Sequence, residues 1–193
     1  MTDRPQRKRI RLTDYDYSAP GAYFITICTR EKRCILSRIS AGAAVVLSTE
    51  GQFVDRAIKN ISVIYPGIAV DDYVIMPNHV HILLRIMEQE SGRLIAAPTA
   101  RTVVGQGTIA APTAGAVVGQ GTIAAPTVST VVGQMKRWVS RQAGTALWQK
   151  SFYEHIVRNE SDYHEIRTYI DNNPARWTED RLYPFESETP ETP

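Results

Sequence analysis

The sequence predicts an α+β fold: a ferredoxin-like antiparallel sheet with helices on one face and one more helix at its C-terminal end. Three observations predict it. Segments of strand and helix character follow one another as strand, helix, strand, strand, helix, strand, an order that a helix-on-sheet sandwich satisfies. Two of the strands are separated only by Pro77-Asn78, which makes them antiparallel neighbours. After the fourth strand, Tyr163, Ile166 and Ile170 recur at helical spacing and give the last helix its buried stripe.

The elements are justified in chain order. Tyr23–Thr29 is rich in β-formers and is punctuated at its start by Pro20 and Gly21, so it reads as the first strand. Leu47–Tyr65 carries Val54, Ala57, Ile58, Ile61 and Ile64 on one helical stripe, stopped by Pro66-Gly67. Ile68–Met76 and His79–Ile86 are the second and third strands. Val131–Gln142 is the second helix, which leads through Ala143-Gly144 and Trp148 into a short fourth strand near Phe152–Val157. The last helix has Asn159 or Ser161 as its cap, Asp162 and Glu165 in its first turns and Pro174 as its stop.

Composition bounds the function. With 193 residues, 43% hydrophobic and 22% charged, the chain suits one soluble domain with appendages. The net charge of +2 does not mark the whole molecule as a nucleic-acid binder, but the charge is uneven. Arg4, Arg7, Lys8, Arg9 and Arg11 crowd an N-terminal arm (1–12), which either follows a phosphate backbone or is simply solvated. Glu186, Glu188 and Glu191 sit in a Pro-containing tail (181–193). Between them, 13–180 reads as a single domain. Cys28 and Cys34 have no metal-knuckle spacing, and Cys28 reads as a small core residue of a cytoplasmic protein. No apolar run is long enough for a membrane span, so a membrane partner is not expected.

The domain is interrupted at about 95–127. Ile-Ala-Ala-Pro-Thr begins at Ile95, Ile109 and Ile123, a period of fourteen, and each copy ends in Val-Val-Gly-Gln. That period is too short for helical solenoid units, and Pro and Gly break any long helix. The upstream copies read as a tandem duplication in a surface loop, where insertions cost little.

The chemistry begins at His79-Val80-His81. Residues two apart on a strand share a face, so two imidazoles project together and make half of a metal site. On the last helix Tyr169 and Asn173 stand four apart and share a face beside the apolar stripe. Brought onto the sheet, His79, His81 and Asn173 would hold a divalent cation, with Tyr169 as nucleophile. Nitrogen and amide-oxygen ligands suit Mg²⁺ or Mn²⁺. Taken alone, a His-x-His pair is more often a hydrogen-bonded pair, and a helical tyrosine more often packs at the core boundary.

Met76–Leu84 taken with Trp148–Pro174 resembles the single-tyrosine, His-hydrophobic-His (HUH) transposases of the IS200-like group, above all the REP-associated tyrosine transposases of bacteria. The matching pattern runs Trp148-Gln149, Phe152-Tyr153, Glu154-His155, Arg158-Asn159, Tyr169-Ile170, Asn173-Pro174, and the opening Ile10–Leu12 and Tyr23–Thr29 share the look of that group. The resemblance covers about 8–92 and 128–180. It implies the ferredoxin-like fold, metal ligands His79, His81 and Asn173, and Tyr169 as the nucleophile. It implies single-stranded hairpin DNA as partner, nicked and rejoined through a 5′-phosphotyrosine link, and a monomer in preference to a homodimer. Arg7, Lys8, Arg9, Arg11, Lys136, Arg137, Arg141, His155 and Arg158 are the candidate DNA contacts. Two alternatives stay open: an idle hairpin-binding module of the same fold, and a metal-dependent phosphodiesterase that uses water.

Overall fold

The computed structural model describes residues 18–88 and 126–184. The basic arm with Arg7, Lys8, Arg9 and Arg11, the repeats up to 125 and the tail beyond 184 lie outside the described residues. Among the described residues there are six strands: β1 (Gly21–Cys28), β2 (Ser37–Ile39), β3 (Val45–Leu47), β4 (Ile68–Ile75), β5 (His79–Ile86) and β6 (Tyr153–Ile156). The helices are α1 (Thr49–Lys59), α2 (Ile61–Ile64), α3 (Val128–Gln142) and α4 (Glu160–Asn172). β4, β5, β1 and β6 form one antiparallel sheet in that order, the expected ferredoxin-like arrangement.

One expected helix, 47–65, is divided. Leu47 belongs to β3, which pairs with β2 in a small hairpin absent from the sequence reading. Ser48 caps α1 by accepting from the Gly51 N–H at 3.0 Å, and Asn60 separates α1 from the single turn α2. Position 51 must be glycine, because a Cβ there would collide with the Leu36 carbonyl. α3 starts three residues earlier than expected, at a Thr127 cap whose hydroxyl accepts from the Thr130 N–H at 3.2 Å.

Period-two alternation divides the sheet into two faces. Tyr23, Ile25 and Ile27 of β1 and Val80, Ile82, Leu84 and Ile86 of β5 pack with Val54 and Ile58 of α1 and Val131, Met135, Trp138 and Val139 of α3. Burying side chains of this size stabilises by about 1.5–3 kcal/mol each. The other face carries α4, whose Ile166 and Ile170 meet Val74, Met76 and Leu83. Tyr163 joins this second cluster only partly, because its hydroxyl reaches out to donate to Asp71 at 3.0 Å. Cys28 is not a core residue: it is half-buried, and its pairing with His79 puts it on the α4 face. Among the described residues no helix is long and apolar enough to cross a membrane.

Candidate active site

The two histidines are placed by a two-residue turn. β4 and β5 are joined by Pro77-Asn78, and the Met76 N–H donates to the His79 carbonyl at 2.9 Å. The segment after β1 locks this turn: the Thr29 N–H and hydroxyl both donate to the Asn78 carbonyl, at 2.9 and 3.0 Å, and the Leu36 N–H donates to the Pro77 carbonyl. His79 is wholly buried and His81 nearly so, both on the α4 face.

Hydrogen bonds orient each ring. The Asn78 amide nitrogen donates to the Leu182 carbonyl at 2.7 Å, so its Oδ1 is left to accept from His79 Nδ1–H at 2.8 Å. His79 Nε2 therefore presents a lone pair. His81 Nδ1 lies 2.9 Å from the Thr26 hydroxyl, its cross-strand neighbour in register. The two Nε2 atoms converge at 3.0 Å. Ligands about 2.1 Å from an ion and at right angles stand about 3.0 Å apart, so the pair fits a divalent cation. Polar partners behind the ring, here Asn78 and Thr26, are what hold imidazoles in a ligating pose.

α4 supplies the rest of the site. It begins at Asn159, whose side chain accepts from the Asp162 N–H at 2.9 Å. Its first turn is tied to β6 by Asp162, which accepts from His155 at 2.9 Å and from the Arg158 N–H at 3.1 Å. At the other end the Tyr169 hydroxyl stands 3.3 Å from His81 Nε2. Phe24 stacks on the His81 ring at 5.1 Å and meets Tyr169 edge-on at 6.0 Å. Asn173 is buried; its amide nitrogen donates to Asp180 at 3.1 Å, while its Oδ1 is buried without a hydrogen-bond partner. An orphaned amide oxygen and two converging imidazole nitrogens are a donor set that a divalent cation satisfies.

Sequence reading missed Asp180. A 3₁₀ turn, Trp177–Glu179, folds the chain back after α4 and sets the Asp180 carboxylate 4.0 Å from His79 Nε2. The Leu182 N–H holds its other oxygen at 2.6 Å, and Trp177 covers His79 with ring centroids 5.9 Å apart. His79, His81 and Asp180 form a group able to hold a metal ion. Nothing in the run Glu179-Asp180-Arg181 signals this, since the turn depends on Trp177 docking. Asn78 and Thr26 were missed too, although Asn beside the first histidine was a readable hint.

Electrostatics agree with neutral, ligand-ready imidazoles. Burial pushes the His79 pKa down to about 4 against the opposing pull of Asp180 and Asn173. Burial, and then the neighbouring His79, hold His81 well below its usual range. Burial and Asp180 hold the Tyr169 phenol above its usual value.

The structure brings together His79, His81, Tyr169 and Asn173, while the candidate DNA contacts among the described residues, Lys136, Arg137, Arg141, His155 and Arg158, are placed elsewhere. His155 is held by Asp162, a contact that ties β6 to the first turn of α4. Lys136 is half-buried and donates to the Gln149 carbonyl at 2.6 Å, tying down the loop before β6. Arg137 and Arg141 are exposed on α3, across the sheet from the histidines, and the Arg158 side chain is exposed beyond β6.

No family model matches the chain. An uncharacterized protein of Haemophilus influenzae is 34% identical over 180 residues, which cover 92% of this chain and 93% of that protein. A solved REP-associated tyrosine transposase bound to a REP hairpin has the same fold, with a TM-score of 0.54 and 21% identity over 86% of this chain and 74% of its own.

Proposed function

The chain belongs to the family of the Haemophilus influenzae protein, and from its fold and site we propose that it is a metal-dependent transposase-like enzyme that nicks and rejoins single-stranded hairpin DNA. One observation carries the reading: a half-exposed tyrosine hydroxyl lies 3.3 Å from one of two converging imidazole nitrogens. A tyrosine in that position is of little use to the core. Beside a bound phosphodiester it is a nucleophile.

His79, His81 and the free Asn173 Oδ1 would hold the ion, Mg²⁺ or Mn²⁺, with Asp180 as a further oxygen ligand. When bound, it neutralises charge developing on the scissile phosphate and lowers the pKa of groups nearby. The Tyr169 oxygen forms its bond to phosphorus as the bond to the 3′-oxygen breaks; the phenol proton passes to water, and the departing 3′-oxygen takes a proton from water. A 5′-phosphotyrosine and a free 3′-hydroxyl result. The link keeps the energy of the broken bond, so an incoming 3′-hydroxyl can rejoin the strand without another energy source. Tyr169 meets His81 of its own chain, which supports action as a monomer.

The Asp180 carboxylate supports a second reading, a phosphodiesterase in which water attacks and Tyr169 is spare. Incubating the protein with Mn²⁺ and hairpin DNAs from the repeats flanking its gene separates the two. A denaturant-resistant protein–DNA adduct that disappears in Tyr169→Phe is expected. Cleavage that persists in Tyr169→Phe without an adduct would establish water as the nucleophile, and binding with neither product would indicate an idle module.

A further inference from the structure

β6 is an outer strand of the sheet, at the edge opposite β4, and its side chains alternate between the two faces. Glu154 is buried, while Tyr153 and His155 turn to the α4 face. Register aligns Tyr153 with Thr26, Thr26 with His81 and His81 with Val74, so these four side chains make one row across the sheet. Tyr153 thus stands two strand spacings from His81, roughly 10 Å. Its neighbours on this face are committed elsewhere: His155 to Asp162, and Phe24 to the His81 ring. The Tyr153 side chain makes no hydrogen bond or ring contact among the described residues, and the residue is 51% exposed.

An aromatic ring left uncovered at a sheet edge buries little area of its own. Next to a site for a polyanion it offers a stacking surface, and every base has a π-face to lay on it. We propose that Tyr153 is the platform on which an unpaired base stacks, setting the adjoining backbone along the Thr26 row toward the His79, His81 and Tyr169 centre. The proposal rests on the single-stranded DNA reading above. Tyr153 touches the base and takes no part in bond breaking, and its selectivity follows stacking strength instead of hydrogen-bond readout.

The test is fluorescence anisotropy with the full chain carrying Tyr169→Phe, so that no turnover occurs, in Mg²⁺. The probes are a labelled oligothymidylate and an abasic oligomer of equal length with the same phosphates but no bases. Adding Tyr153→Ala is expected to weaken binding to the oligothymidylate about tenfold and to leave binding to the abasic oligomer unchanged. Tyr153→Trp is expected to keep the oligothymidylate affinity, which separates stacking from any effect on folding. Unchanged affinity in Tyr153→Ala, or an equal loss on the abasic oligomer, would overturn the platform while leaving the DNA reading intact. If the parent protein binds neither oligomer, the DNA reading falls and the platform with it.

Discussion

The two faces of one sheet are built differently. Among the described residues, twenty-two buried ones form a continuous apolar cluster on the face covered by α1 and α3; on the face covered by α4 the corresponding cluster has five. What α4 lacks in apolar contact it replaces with polar ties: Tyr163 to Asp71, Arg167 to Asp72, and Asp162 to His155. The buried polar groups His79, His81 and Asn173 all lie on this second side. Burying neutral imidazoles and an unpartnered amide oxygen costs stability, and the apolar face has enough in reserve to offset it. The comparison teaches that stability and chemistry are assigned to opposite sides of the same strands. β5 serves both, with Val80, Ile82 and Leu84 turned one way and His79 and His81 the other.

The sharpest way to break this division is at His81. His81→Ala is expected to cut adduct formation by more than about a hundredfold and to abolish the rise in melting temperature that Mn²⁺ produces in the unaltered protein. The chain should still unfold cooperatively in urea, since the apolar face is untouched. If Mn²⁺ still stabilised the variant, His81 would not be a ligand.

Ile58→Ala tests the other side. Ile58 is wholly buried, so truncation is expected to cost about 3 kcal/mol in denaturant unfolding. Mn²⁺ affinity per folded molecule should not change. A parallel loss of metal affinity would mean that the two faces are coupled.

Acid should act on the site face first. His79 titrates near 4 when folded and near 6.5 when unfolded, so below pH 6.5 the unfolded chain binds the extra proton. Stability from this group is therefore complete above pH 6.5 and declines as pH falls toward 4, by roughly 2 kcal/mol between pH 7 and pH 5. His81, shifted in the same direction, adds to the decline. Asp162, held low by its bond to His155, gives up its contribution further down, below its ordinary value. Chemical unfolding of the metal-free protein at pH 7, 6 and 5 measures the slope, and a flat profile would contradict burial of neutral imidazoles.

The smallest effect is expected at the polar ties. Tyr163→Phe removes one hydrogen bond between α4 and β4 and should cost about 1 kcal/mol. Amide exchange in α4 should quicken while α1 and α3 keep their protection. Uniform quickening would show that α4 is no weaker than the rest.

Much of this was legible because it is local. Residue pattern and turn signals marked α3, α4 and four sheet strands, and the Pro77-Asn78 turn made β4 and β5 antiparallel neighbours. Strand alternation alone put His79 and His81 on one face, and helical spacing put Tyr169 beside Asn173. The β2–β3 hairpin escaped because three-residue strands carry too little pattern, and the break at Asn60 because the apolar stripe runs on through it. Where two distant segments meet, the sequence is silent. Asp180 reaches His79 only because Trp177 docks on it, and Lys136 holds the Gln149 carbonyl only because α3 crosses that loop. Asn78 fixes the His79 tautomer only because Leu182 claims its amide nitrogen. Local periodicity is written into neighbouring residues, whereas these contacts depend on register and packing across the whole chain, so they exist only once it has folded.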